Sequence, residues 1–106
     1  MNDCIFCQIV AGTIPAKPVY QDNEFIVIPD IHPAAPVHLL VIPKKHVSDF
    51  MEADEALLIK LVSIIKKIIR EQKIKDFRLV HNGGGAAAIA HFHIHVMGQV
   101  DKNRNL

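Results

Sequence analysis

The 106-residue sequence has only two cysteines, a single tyrosine and almost no excess of charge of either sign. Two cysteines are too few for the disulfide framework of a small secreted domain, which predicts a cytoplasmic protein in a reducing compartment. A formal net charge of +1 gives no basic footprint, so duplex nucleic acid is not an expected partner. No segment has the basic start, apolar middle and small-residue cleavage site of a secretory signal, so secretion is not expected either.

Long hydrophobic runs are also missing. The longest stretch without a formal charge, from Leu79 to Val100, contains four histidines, an asparagine, a glutamine and a run of glycines. That composition is not typical of a membrane-spanning helix, so no membrane partner is expected. No repeat, linker or low-complexity tail interrupts the chain, and half of its residues are apolar. The sequence therefore predicts one domain with one core, spanning residues 1–106.

Short apolar runs predict the order of the structural elements. The expected elements are a helical turn at Cys4–Val10 and strands at Val19–Gln21, Phe25–Pro29, His38–Ile42, Phe77–Asn82 and His91–Gly98. Asp22-Asn23 separates the first two strands and is a hairpin signal. A long helix lies between the third and fourth strands. Strands, one long helix and further strands indicate an α+β fold with an antiparallel sheet of about five strands.

The long helix has the clearest signal of all. Apolar residues recur at helical spacing from Leu57 to Ile69, while lysines and a serine occupy the opposite face. Acidic residues precede it and Arg70 lies near its end, which suits the helix dipole. Its wide, β-branched stripe predicts close packing against a sheet.

The run from His91 to Val96 alternates strictly between histidine and an apolar residue. Successive side chains of a strand point to opposite faces, so three apolar residues would enter the core and three histidines would line the other face. Imidazoles gathered in this way can hold a transition metal, or they can bind an anionic phosphate and attack its phosphorus. An isolated histidine such as His32 is instead expected to be an ordinary core or surface residue.

The same run, with Met97, resembles the signature of the histidine-triad family. Further family motifs occur in the family's order, at Cys4–Cys7, Ile14-Pro15, Val19–Asp22, Asp30–Pro33, Ala35–His38 and Val41–His46. The resemblance runs from about Cys4 to Gly98 and is strongest to the nucleotide-binding branch that acts on nucleoside phosphoramidates.

This resemblance implies a homodimer whose sheets join across the interface, and it implies a reaction. Family members hydrolyse or transfer nucleoside monophosphates, with purine nucleotides or nucleoside phosphoramidates as partners. By motif position, His93 would be the nucleophile that forms a nucleotidyl-histidine, while His95 and His38 would contact the α-phosphate. Asp30 and Ile31 would lie along the ribose and base. No cofactor is needed for that chemistry.

Cys4 and Cys7 form a CxxC pair, which alone is a weak signal. A thioredoxin-like redox pair would follow a strand in a βαβ unit, and none is predicted here. Two readings remain, a buried pair without a ligand and a zinc site. In many microbial relatives the pair binds structural zinc with two histidines, and those positions are filled here by His46 and His91. The resemblance thus implies a closed four-ligand zinc site that braces the fold.

One segment departs from the family pattern. Where the family usually has Gly-Gln-Ser or Gly-Gln-Thr before the triad, this chain has three alanines, Ala86–Ala88, and the preceding loop is two residues shorter. Backbone N–H groups from Gly84 to Ala88 can still serve a phosphate, because a glycine-rich turn forms an anion-binding nest. The family's asparagine falls on Asn82, or His81 occupies its place.

These observations leave three functional classes open. The first is a hydrolase or transferase that uses His93. The second is a nucleotide-binding module with little turnover, which the loss of the polar side chains at Ala87 and Ala88 favours, since one oxyanion donor can contribute roughly 10²–10³ to turnover. The third is a metal-binding or storage protein that uses the histidine face.

Overall fold

The computed structural model describes residues 4–102. Its helices are α1 (Ile5–Val10) and α2 (Glu55–Glu71), and a short 3-10 turn lies at Gly84–Ala86. The strands are β1 (Tyr20–Gln21), β2 (Phe25–Pro29), β3 (Val37–Pro43), β4 (Arg78–Val80) and β5 (Ile94–Gly98). The predicted α+β class is confirmed, with a five-stranded sheet, one long helix and one short N-terminal helix in this part of the chain.

The strands pair only in antiparallel fashion within residues 4–102, in the order β1-β2-β3-β5-β4. Strands β1 to β3 follow one another as neighbours, and after α2 the chain returns so that β5 lies beside β3. In that central pair Leu40 lies opposite His95, and His38 lies opposite Met97. His38 and His95 are therefore diagonal neighbours on one face of the sheet.

Apolar side chains cover both faces of the sheet. On one face, α2 packs against a cluster from the strands, made of Phe25, Val27, Leu39, Val41, Phe92 and Val96. On the other face, Phe6 of α1 packs against alternate residues of β2 and β3, namely Ile26, Ile28, Leu40 and Ile42. Because strand side chains alternate between faces, β2 and β3 have apolar residues on both faces and so contribute to both clusters.

Helix α2 is longer than its apolar stripe because capping extends it. The Asp54 carboxylate accepts a hydrogen bond from the Leu57 N–H at 2.8 Å and begins the helix. Arg70 lies in the last turn, where its charge suits the carbonyl end of the helix dipole. Within the described residues, none of the helices is long and apolar enough to cross a membrane.

Two strand predictions were too long. The strand predicted at Phe77–Asn82 is reduced to β4, and the strand predicted at His91–Gly98 begins only at Ile94. The backbone before β5 is bonded to side chains and a loop instead of a neighbouring strand. The Phe92 N–H donates to the Val47 carbonyl at 2.7 Å, and the carbonyl of His91 accepts from the His93 ring at 2.7 Å.

Candidate active site and metal centre

The histidine run divides between two sites. Phe92 and Val96 enter the α2-side core as predicted, and Ile94 packs against it. The three histidines lie on the opposite side of the sheet. There Phe6 of α1 separates His91 from His93. The Phe6 ring contacts the rings of His91 and His93 edge to face, with centroids 5.9 and 5.0 Å away.

The first site gathers the four residues that the sequence indicated for a metal. Cys4 Sγ lies 3.2 Å from His91 Nδ1, Cys7 Sγ lies 3.1 Å from His46 Nδ1, and the two Nδ1 atoms are 3.1 Å apart. All four potential ligand atoms lie within 4.8 Å of one another. Burial raises the pKa of the Cys4 thiol, although the Cys7 N–H, which points to Cys4 Sγ at 3.3 Å, opposes the shift.

This donor set fits zinc. Tetrahedral zinc holds sulfur at about 2.3 Å and nitrogen at about 2.0 Å, which places neighbouring ligand atoms roughly 3.3–3.8 Å apart. The His91 ring is already in the tautomer that a ligand needs. Its Nε2 lies 2.7 Å from the Pro43 carbonyl, which can only accept, so Nε2 carries the proton and Nδ1 keeps its lone pair.

The second site is a cavity of about 430 Å³ on the α1 side of the sheet. Six residues that the sequence indicated line it, namely Asp30, Ile31, Asn82, Ala88, His93 and His95. His38 lies next to this wall, bonded to His95. The cavity thus brings together residues from β2, β3, β5 and the glycine-rich turn that are far apart in the sequence.

His93 is held with one nitrogen facing the cavity. Its Nδ1 lies 2.7 Å from the His91 carbonyl, which can only accept, so Nδ1 carries the proton and Nε2 keeps a free lone pair. The side chain is only 6% exposed. That burial lowers the pKa of His93, although the bond to the His91 carbonyl opposes the shift. The ring is therefore neutral near neutral pH, the form that can attack phosphorus.

His38 and His95 form a directed hydrogen-bond relay. The Ala34 N–H donates to His38 Nδ1 at 2.9 Å, so the proton of the neutral His38 ring is on Nε2. His38 Nε2–H donates in turn to His95 Nδ1 at 2.9 Å. His95 then carries its own proton on Nε2. The Asp30 carboxylate lies 3.4 Å from His38 Nε2 and 4.0 Å from His95 Nδ1.

Asp30, His38 and His95 have the composition of a second metal site, but their hydrogen bonds do not suit one. A metal on His38 Nε2 would need the proton moved to Nδ1, where it would face the Ala34 N–H donor. The same hydrogen bonds fix which nitrogen of each ring in the relay donates and which accepts. This geometry disfavours the hypothesis of a metal-storage face.

His81 and Asn82, the two alternatives for the family's asparagine, lie in different places. Asn82 lines the cavity, whereas His81 lies behind the nucleophile and packs edge to face on Phe92 at 4.9 Å. Of Ala87 and Ala88, which replace polar side chains of the family pattern, Ala88 lines the cavity and Ala87 is not among the lining residues; Ala86 also lines it. Gly84 has a φ of +56°, so the turn before the alanines uses a backbone conformation that glycine adopts without strain.

Sequence reasoning missed the apolar wall of the cavity. Ile5, Phe6 and Ile9 of α1 line it, together with Ile28, Pro29, Leu40 and Ile89. His32, expected to be an ordinary core or surface residue, is exposed and also lies on the cavity lining. The signal was available for the strands, because Ile28 and Leu40 fall on the same alternating face as His38 and His95. For α1 nothing in a six-residue apolar helix says which cavity it covers.

Burial also lowers the pKa of His95, and the neighbouring His93 and His38 rings add to the shift while Asp30 opposes it. The unfolded chain therefore takes up this proton first, at a pKa of about 6.5. The contribution of neutral His95 to stability is full above that pH and is lost as the pH falls through it.

We therefore expect the free energy of unfolding to fall more steeply in the wild type than in His95→Asn between about pH 8 and about pH 5. Urea titrations across that range, with zinc in excess for both proteins, measure the difference. Parallel pH profiles for the two proteins would contradict this account.

Comparison with known proteins gives a consistent result. The family model described as "Scavenger mRNA decapping enzyme C-term binding" matches residues 3–105. The protein HitA of Neisseria gonorrhoeae is 42% identical over 104 residues, covering 92% of this chain and 97% of HitA. A solved HIT family hydrolase from Clostridium thermocellum is 35% identical, with a TM-score of 0.88 and coverage of 100% of this chain and 98% of its own.

A second solved structure, a histidine triad protein from Clostridium difficile, is 31% identical with a TM-score of 0.89. It covers 100% of this chain and 98% of its own length. The matches run across the described fold, including both sites. The chain therefore belongs to the histidine-triad family.

Proposed function

We propose that this protein hydrolyses or transfers nucleoside monophosphates from phosphoramidates or related conjugates through a nucleotidyl-His93 intermediate. The observation that carries the proposal is the orientation of His93. Its Nδ1–H is bonded to the His91 carbonyl, which leaves the Nε2 lone pair for the phosphorus. The family relationship and the name "HIT family hydrolase" of a structural relative support the same class of reaction.

The reaction has two balanced steps. His93 Nε2 forms a bond to phosphorus while the bond from phosphorus to the leaving nitrogen breaks, and that nitrogen takes a proton from doubly protonated His95. Water then attacks the phosphorus and gives a proton to His95, while the bond from phosphorus to His93 breaks. Burial and the neighbouring rings keep His95 neutral in the free protein, so it takes up its second proton with the bound phosphate anion, and Asp30 also favours the charged form. Asp30 Oδ2, 4.0 Å from His95 Nδ1 and 3.4 Å from His38 Nε2, can then accept the protons of both nitrogens in place of the bond between the two rings.

The rest of the cavity suits a purine nucleoside monophosphate. Its wall of isoleucines and Phe6 supplies an apolar surface for a base. Asp30 and Ile31, which we propose contact the ribose and base, line it, and so do Asn82 and Ala88, which we propose lie at the phosphate. Purine selectivity rests on the family resemblance.

We also propose that Cys4, Cys7, His46 and His91 hold structural zinc. Bound zinc would supply four ligand bonds that fasten α1 to the segments before α2 and β5. Protein atoms would then occupy all four coordination positions of the zinc, so no water could bind to the metal and be activated there. The chemistry would depend on His93 and His95 alone. Because Ile5, Phe6 and Ile9 of α1 wall the cavity, this site also supports the nucleotide pocket.

The partner in assembly is proposed to be a second copy of the chain. Strand β4 forms one edge of the sheet, and an apolar groove of about 320 Å³ runs beside it between α2 and the loop at Phe50. Val62 and Leu79 line this groove and are about half exposed. Edge-to-edge pairing of β4 would join the two sheets and cover these side chains.

Leu79→Asp is accordingly expected to convert the dimer to a monomer, because it places a charge in the apolar groove. Val19→Asp is the matched control, since Val19 is exposed to a similar extent beside β1 at the opposite edge of the sheet. Sedimentation velocity measures the state of each protein. A monomeric wild type, or a dimeric Leu79→Asp variant, would contradict the proposal.

The enzyme and the binding module are separated by two measurements on the wild type. Calorimetry with AMP tests the pocket, and release of AMP from an adenosine phosphoramidate tests the chemistry. We expect both binding and multiple turnovers. Tight AMP binding without turnover over a long incubation would assign the protein to the binding class, with Ala87 and Ala88 as the reason.

A further inference from the structure

His81 is a half-buried histidine beside the active site to which neither the proposed chemistry nor the metal centre gives a role. It lies just after β4, half-buried, and the ring has its back to the cavity. Both of its nitrogens are bonded to backbone. The Phe50 N–H donates to His81 Nε2 at 3.1 Å, so Nδ1 carries the proton and donates to the His93 carbonyl at 3.2 Å.

The His93 backbone needs such a restraint. β5 begins only at Ile94, so the residue that carries the nucleophile lies outside the ladder between strands. Two hydrogen bonds hold it instead. The ring donates to the His91 carbonyl, and the His93 carbonyl accepts from His81. The first bond sets the tautomer of the ring, and the second fixes the peptide unit from which the ring projects.

The loop that contains Phe50, whose N–H donates to His81, is also bonded to the glycine-rich turn. Asp49 Oδ2 accepts from the Gly84 N–H at 2.9 Å, in the turn that precedes the alanines. The Asp49 carboxylate accepts from the Met51 N–H at 3.0 Å with its other oxygen. A single loop therefore fixes the nucleophile segment through His81 and the glycine turn through Asp49.

We propose that His81 is a positioning residue for the nucleophile, which holds the His93 peptide unit so that Nε2 faces the phosphorus. This inference rests on the proposed function of His93. His81 itself touches no substrate atom, since the ring lies against Phe92 and Phe50 outside the cavity lining. Its effect should therefore fall on the chemical step and leave nucleotide binding unchanged.

Two substitutions test this role. His81→Phe keeps a ring against Phe92 but removes both hydrogen bonds, whereas His81→Asn keeps an N–H donor for the His93 carbonyl. We expect His81→Phe to slow single-turnover nucleotidylation by about 10–100-fold, because small misplacements of a reacting group have effects of that size. The Kd for AMP and the zinc content should stay within about twofold of the wild type. His81→Asn should recover most of the rate.

An unchanged rate in His81→Phe would overturn the proposal. Equal losses of rate, AMP affinity and zinc content in both variants would also overturn it, because they would indicate a general structural role.

A readout without substrate separates this inference from the proposed function. Nitrogen NMR of the His93 ring should show one Nδ1–H tautomer in the wild type and in His81→Asn, and a mixture in His81→Phe. A wild type with one tautomer but without nucleotidylation would contradict the proposed function alone.

Discussion

Replacing His46 with alanine is expected to lower the midpoint of thermal unfolding by roughly 10 °C or more, since each kcal/mol lost shifts a domain of this size by several degrees. His46 Nδ1 lies 3.1 Å from both Cys7 Sγ and His91 Nδ1, so its removal opens the proposed zinc site. α1 has only six residues and is not expected to be stable as a helix by itself. Without the metal, the attachment of α1 to the sheet depends on the packing of Phe6.

The same variant is expected to bind AMP more weakly, by about tenfold or more, because affinity is lost when part of a pocket is no longer preorganised. Lys45→Ala is the matched control, since Lys45 is also exposed and precedes His46 in the chain but lies outside both the metal cluster and the cavity lining. Thermal unfolding with and without a chelator, together with elemental analysis of zinc, measures the effect. A protein purified without zinc, whose unfolding midpoint is unchanged by added zinc or chelator, would contradict the structural role of the metal.

Replacing His93 with glycine is expected to reduce turnover of an adenosine phosphoramidate by at least about 10³-fold, because it removes the proposed nucleophile, whose Nε2 lone pair is left free by the bond from Nδ1 to the His91 carbonyl. The zinc ligands and the relay of His38 and His95 remain, so AMP should still bind. Added imidazole should restore part of the activity by occupying the space left by the ring. Steady-state AMP release with and without imidazole provides the measurement. Near-normal turnover in His93→Gly would show that another group attacks the phosphorus.

Much of the fold was predictable from local patterns. The stripe from Leu57 to Ile69 requires a helix that packs on a sheet, and the hairpin signal at Asp22-Asn23 joins two strands that do pair. The alternation from Phe92 to Val96 also predicted which side chains enter the core. The helix and the strand alternation depend on the period of the apolar residues, which stays the same whatever the length of the strand.

The site was predictable where the spacing of residues in the sequence indicates their chemical role. It was less predictable where the geometry depends on tertiary contacts. The CxxC pair and the two histidines indicated a metal cluster, and the four ligand atoms do lie together. The late start of β5 was not predictable, because side-chain bonds from His81 and His93 take the place of the strand ladder. The α1 wall of the cavity was likewise invisible, since no sequence pattern specifies where a short helix docks.

The central claim is that His93 Nε2 becomes covalently bonded to the nucleotide. Mass spectrometry of the protein mixed with an adenosine phosphoramidate and quenched early tests it most directly, beside a His93→Gly control. The account predicts an acid-labile adenylate on the peptide that contains His93 in the wild type, and none in the control. A wild type that binds nucleotide and releases AMP without any adduct, or an adduct that persists in His93→Gly, would contradict it.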